Sequence, residues 1–160
     1  GLLHDTCRLE PHHAEKGAEV SRMVLKDYPI SDHDRDLVAQ AIEVHEAFRP
    51  GQELPEDPKA RLLAGALYDA DKFRWGPDNF VTTLWEICDY AEWSLKEIAD
   101  RFPEGLARVE AVGGTFRTRT GRKYGPQMIE QGLALGRELQ QRLKDLSGTG
   151  RRLSGREVRE

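Results

Sequence analysis

The stretch Phe80-Val81-Thr82-Thr83-Leu84-Trp85-Glu86-Ile87-Cys88-Asp89-Tyr90-Ala91-Glu92-Trp93-Ser94-Leu95-Lys96-Glu97-Ile98-Ala99-Asp100-Arg101-Phe102 carries the strongest periodicity in the chain. Its apolar residues Phe80, Leu84, Ile87, Cys88, Ala91, Leu95, Ile98 and Phe102 recur every three or four positions, the spacing of one helix face. The pattern predicts one long helix closed by Pro103. The same period governs the rest of the sequence, with almost no alternating stretch of strand length. The expected fold class is therefore all-α, a single-domain bundle of about six helices.

Upstream, Pro11 suits a first helical position, and residues 11–27 would place His13, Gly17, Val20 and Val24 on one stripe. Residues before Pro11 read as the last turn of another helix. Ser31, with Asp34 three residues on, is an N-cap for a helix to about Phe48 whose inward residues are Val38, Ala41, His45 and Phe48. A third helix runs from about Pro58 to Trp75, where Gly76-Pro77 stops it. Downstream, a short helical piece at Leu106 to Val112 leads into Gly113–Gly121, read as an extended loop or short strand. The last helix starts near Lys123 and puts Met128, Gly132, Leu135, Leu139, Leu143 and Leu146 on one face until Ser147-Gly148. Residues 148–160 are polar and Arg-rich, so a domain over 1–147 followed by a flexible basic tail is expected.

With 160 residues and 38% hydrophobic content, the chain can bury one continuous core. No apolar run approaches the length of a membrane span, and the charged start lacks the apolar region of a secretory signal, so a cytoplasmic protein is expected. Cys7 and Cys88 lie far apart without a Cys-x-x-Cys spacing, so neither a disulfide framework nor a thiolate zinc site is suggested and reduced thiols are expected. The net charge of −4 divides unevenly: residues 1–114 hold 13 Lys/Arg against 23 Asp/Glu, and residues 115–160 hold 11 against 5. The basic end lacks interleaved aromatic residues and the whole chain is acidic, which argues against nucleic acid as a partner. Trp75, Trp85 and Trp93 could serve core or interface, so the oligomeric state stays open. The sequence begins without Met, and residues preceding Gly1 are expected.

The chemistry is concentrated at the start. His4 and Asp5 cannot point in one direction from a helix, but they can converge on an ion beside a helix end. An imidazole nitrogen with a carboxylate oxygen suits Mn, Fe, Co, Ni or Zn. His13 and His45 each interrupt an apolar face, where both ring nitrogens need partners. Asp69 and Asp71 lie on opposite apolar stripes of one helix, and periodicity does not choose between them. Lys72 and Arg74 flank Asp71 as candidate phosphate contacts; the alternative is surface pairing with Asp69 or Asp78. His12 points away from His13, and His33 sits at a polar helix start. Arg117, Arg119, Arg122 and Lys123 occupy a loop that could close over an anion, although a solvated linker is the plainer reading.

Leu2-Leu3-His4-Asp5-Thr6-Cys7-Arg8 and Ala70-Asp71-Lys72-Phe73, with His13 four residues before Gly17 and Ile42-Glu43-Val44-His45, resemble the HD superfamily of metal-dependent phosphohydrolases. The resemblance runs from residue 1 to about Trp75. It implies an all-α HD-type bundle and selects Asp71 over Asp69. It also implies one or two divalent ions (Mn, Fe, Co, Ni, Mg or Zn) held by His4, Asp5, Asp71, His13 and His45. Asp5, Arg8 and Lys72 would be catalytic, and Arg8, His13, His45 and Lys72 would contact a small phosphorylated substrate, such as a nucleotide, attacked at phosphorus by activated water. The family's first ligand His, expected upstream of the pair, is not in this sequence. Thr6-Cys7-Arg8 replaces the frequent Ile/Val-Gly-Lys, keeping a cation able to grip phosphate bidentately. The alternatives are a catalytically silent ligand-sensing or interaction domain, or oxidative chemistry at paired iron.

Overall fold

The computed structural model describes residues 1–148, so the expected tail lies outside the described residues from residue 149 onward. Local capping chemistry sets most helix starts. α1 spans His13–Val24 and continues into a 3₁₀ turn at Leu25–Asp27. It begins after His12, whose φ of 57° is left-handed, so Pro11 is not its first residue. Its inner face is Ala14, Gly17, Ala18 and Ser21, rotated from the expected stripe, and Val24 is partly in solvent. α2 spans Asp32–Glu43, with Ser31 Oγ accepting the Asp34 N–H at 3.0 Å as the sequence predicts. It stops well before Phe48, which is exposed at φ 61°, and its buried residues are Leu37, Ala39, Ala41 and Ile42. α3 spans Pro58–Phe73, with Pro58 in its first turn and the Asp57 carboxylate accepting the N–H groups of Lys59 and Ala60.

The long helix expected over residues 80–102 is three pieces instead. A π-helical turn at Asn79–Thr83 leads into α4, Leu84–Tyr90, and α5 begins only at Leu95. Between them Glu92 is left-handed, at φ 52°. The Trp93 N–H reaches the Cys88 carbonyl at 3.0 Å and the Glu92 N–H that of Asp89 at 3.1 Å, a Schellman stop. Ser94 and Glu97 then form a reciprocal capping box that starts α5. α5 runs through Pro103 to Val112, absorbing the piece expected at Leu106–Val112. Pro103 is exposed while Phe102, Val109 and Val112 are buried on the other side, so packing holds the helix past the missing N–H. Residues 113–118 form a loop without a strand, and α6 spans Arg119–Gly148.

The described residues are thus helical and loop throughout, with six α-helices and no strand. α2 packs on both α1 and α3, α5 packs on α6, and α3 meets α6 to join the halves. The larger core is built from Phe80, Ile98, Phe102, Val109, Phe116, Ile129 and Leu133, with Trp75 and Trp93 against it; Trp85 is partly exposed. The other half is closed by small residues, among them Ala14, Ala18, Ala39, Ala41, Ala60 and Ala64. Small side chains let helix axes approach at the short end of the usual range of about 8–10 Å. Among the described residues no helix is long and apolar enough to cross a membrane.

Candidate metal centre

Residues 2–9 form successive tight turns rather than the end of an α-helix, with Arg8 N–H to Asp5 O at 3.1 Å and Glu10 N–H to Cys7 O at 2.8 Å. They lie against α1 at Gly17, where a Cβ would stand 3.1 Å from the His4 carbonyl oxygen. Gly17 therefore lets the His4-Asp5 pair sit down beside His13, one turn back on α1. His45 follows the end of α2 and is almost fully buried.

Three imidazoles converge here, and hydrogen bonding orients each. His4 Nδ1 lies 2.5 Å from the Gly1 carbonyl, His45 Nδ1 2.5 Å from the Ile42 carbonyl, and His13 Nδ1 2.8 Å from Glu46 Oε1. A carbonyl oxygen only accepts, so Nδ1 of His4 and His45 carries the proton. Their Nε2 atoms then face carboxylates: His45 Nε2 is 3.4 Å from Asp5 Oδ1, and His4 Nε2 is 3.5 Å from Asp5 Oδ2 and 3.7 Å from Asp71 Oδ1. His13 Nε2 lies 3.8 Å from Asp5 Oδ1. The rings of His4 and His13 stand edge-on to His45, centroids 5.0 and 5.2 Å away.

These residues fit a divalent cation. His4 Nε2 is buried and has no hydrogen-bond partner. Donors about 2.0–2.2 Å from one ion stand roughly 3–3.5 Å apart, close to the spacing of these nitrogens and oxygens. His4, Asp5 and His45 offer ligand atoms all within 4.8 Å of one another. Nδ1 bound to a carbonyl or carboxylate, with Nε2 turned inward, is the usual outer support of a ligating histidine. Asp5 is held well below the ordinary carboxylate range, chiefly by the His45 imidazole beside it and also by Arg8, against the opposing effect of burial. It is an anion poorly suited to taking up protons.

The two aspartates of α3 take different roles. Asp71 faces His4 and pairs with Lys72. Asp69, buried, points toward α6 and accepts the backbone N–H groups of Arg117 at 2.7 Å and Thr118 at 2.8 Å. Lys72 is buried, its ammonium 5.2 Å from the centre of the Tyr68 ring and 5.5 Å from that of Trp75.

A polar cleft of about 880 Å³ opens from this cluster, lined by Asp5, His13, His45 and Asp71 together with the cations Arg8, Arg49, Lys72, Arg74 and Arg108. Arg8 Nη1 donates to Asp5 Oδ2 at 2.5 Å. Arg74 also approaches Asp78, at 3.6 Å, the surface pairing the sequence allowed. His12 is exposed and pairs with Glu15, and His33 is exposed on α2; neither joins the cluster. Arg117 is not a loop cation reaching for an anion. It donates to the Val44 carbonyl at 2.7 Å and stacks 3.7 Å above Tyr68, and burial pushes its pKa down. Arg119, Arg122 and Lys123 belong to the first turns of α6, Arg122 donating to the Phe116 carbonyl.

Sequence reasoning passed over Glu46 and Arg49. Glu46 orients His13, and Arg49 bridges Glu46 to Glu15 on α1. The available signal was adjacency: Glu46 follows His45 directly. Comparison with known proteins adds no identity, since no family model, curated protein or solved structure matches the chain.

Proposed function

We propose that the chain is a divalent-metal-dependent phosphohydrolase of the HD type, acting on a small phosphorylated metabolite. The observation that carries this reading is the shared orientation of the histidines, each with Nδ1 tied to an acceptor and Nε2 turned toward Asp5, beside a cleft lined by cations. His4, Asp5, His45 and Asp71 would hold the ion, with His13 completing the set or serving a second ion. A divalent ion bound there supplies charge against the phosphoryl oxygens and a bound water of lowered pKa.

The remaining work falls to the chain's own side chains. Asp5, kept ionised, contributes charge rather than proton transfer. Arg8, its side chain more than half exposed, can swing its guanidinium onto a phosphate and bind two oxygens at once. Lys72, fixed between two rings and Asp71, places a donor at the cleft wall for the leaving oxygen. In the reaction the water oxygen bonds to phosphorus, the ester P–O bond breaks, and the proton lost from water ends on the leaving alcohol.

The test is a screen of phosphorylated metabolites with each of Mn, Fe, Co, Ni, Mg and Zn. His4→Ala and Asp71→Ala should each reduce phosphate release by at least about a hundredfold, more than the roughly 10- to 100-fold lost with an outer partner. Metal content measured by elemental analysis should fall alongside. Normal rates in both variants at matched metal content would overturn the proposal, and stoichiometric metal without hydrolysis of any ester would favour a sensing domain.

A further inference from the structure

Beside the polar cleft lies a second cavity of about 300 Å³ with a different character. Its walls include Trp75, Phe80, Trp93, Phe102, Leu106 and Val109, and the Phe80 and Phe102 rings lie 6.2 Å apart. The two compartments share Trp75, Asn79, Ile87 and Arg108 as lining, so the apolar cavity adjoins the cleft that holds the histidines. Asn79 opens the π-helical turn between them, a distortion that recurs at functional sites because it redirects side chains out of the helical register. Exposed Arg101, Glu104 and Arg108 lie on the solvent side, and Arg101 is stacked over Trp93 at 4.6 Å.

We infer that this cavity is the leaving-group subsite, and that the substrates are phosphomonoesters of alcohols carrying one or two fused aromatic rings. This rests on the phosphohydrolase reading of the neighbouring cleft. Size and chemistry select the class. An apolar cavity of about 150 Å³ admits a benzene ring, and this one is twice that volume. Its aromatic walls offer flat faces and ring edges for stacking. Apart from Asn79, the charged lining groups Arg101, Glu104 and Arg108 lie on the solvent side, so a flat ring matches the inner walls better than a sugar or polyol, whose hydroxyls would find partners mainly at the mouth.

The experiment uses two ligands that cannot be hydrolysed, naphthalen-1-ylmethylphosphonate and methylphosphonate, titrated calorimetrically into the Mn-loaded protein. The naphthyl compound should bind about a hundredfold more tightly, the return expected from burying its rings. Gly105 lines the cavity, and a Cβ built there meets nothing within 4 Å. Gly105→Phe should therefore crowd the cavity without backbone movement, removing most of that preference and leaving methylphosphonate binding intact. Leu84→Trp, filling the cavity from α4 rather than α5, should act alike, with unfolding curves confirming that both variants fold. Equal binding of the two phosphonates, or variants that keep the wild-type preference, would overturn the subsite; if glycerol phosphate is still hydrolysed, the hydrolase reading stands. Preferential binding with no phosphate release from naphthyl phosphate or glycerol phosphate would overturn the hydrolase reading and with it the leaving-group role, leaving the cavity as a binding site for aromatic phosphonates. Binding of neither phosphonate would overturn both.

Discussion

Asp69 and Asp71 are two residues apart on one helix, which turns them about 200° apart. One faces the histidines and the other holds a loop. Sequence pattern cannot separate them, because α3 carries buried residues on much of its circumference, from Ala60, Ala64 and Tyr68 to Asp69 and Lys72. Resemblance pointed to Asp71, and the tertiary contacts give each carboxylate its own partners. Asp69→Ala should cost about 3 kcal/mol of stability, since two half-buried N–H groups would lose an acceptor worth roughly 1.5–3 kcal/mol per bond. Chemical denaturation would measure it, and metal content should not change. A loss of metal with unchanged stability would reverse the roles assigned to the pair. Glu46 and Gly17 act at the same scale, one orienting His13 and the other admitting the His4 backbone. Neither is legible alone, because their meaning lies in partners far away in sequence.

At the scale of elements, periodicity found helices more reliably than their ends. The residues from Phe80 to Phe102 keep a helical spacing, yet the chain turns at Glu92, because spacing records which side is apolar and not whether the axis continues straight. The stop is built from backbone hydrogen bonds by a residue with no compositional mark. Glycine usually fills that left-handed position, and Glu92 occupies it at a backbone cost of about 1–2 kcal/mol. Glu92→Gly should therefore raise stability by about 0.5–1 kcal/mol after glycine's own entropic penalty. Thermal unfolding would show it, and a lower Tm would mean that the Glu92 side chain contributes more than its backbone costs. The Ser31 and Pro58 starts were legible because a cap is local chemistry, carried by one or two neighbouring residues.

For the whole molecule, the junction of the two halves is made by close approach of backbone. Gly132 on α6 faces Gly76 just beyond α3, and a Cβ at 132 would stand 2.6 Å from the Gly76 carbonyl carbon. Neither backbone can yield as a flexible side chain would. Gly132→Ala should thus destabilise the protein by about 1–3 kcal/mol through overpacking, despite alanine's better helix propensity. A denaturation midpoint at or above that of the parent would show that the helices separate freely. The expected apolar stripe on α6 is correspondingly displaced: Gly121, Gly125, Gly132 and Gly136 are buried with Ile129, Leu133 and Leu143, while Leu146 is partly exposed. Hydrophobic pattern undercounts a face buried by absence of side chain.

By itself the sequence determined the helical class and the places where capping residues start α2 and α3. It also marked the histidines and aspartates whose chemistry suits a cation. These are properties of single residues and near neighbours. The break at Glu92, the extension of α5 through Pro103, the separate roles of Asp69 and Asp71, and the meeting of His4, His13 and His45 around Asp5 were decided by tertiary structure. Each depends on which remote backbone or side chain comes within a few ångströms, a matter of packing across helices that spacing along one chain does not encode.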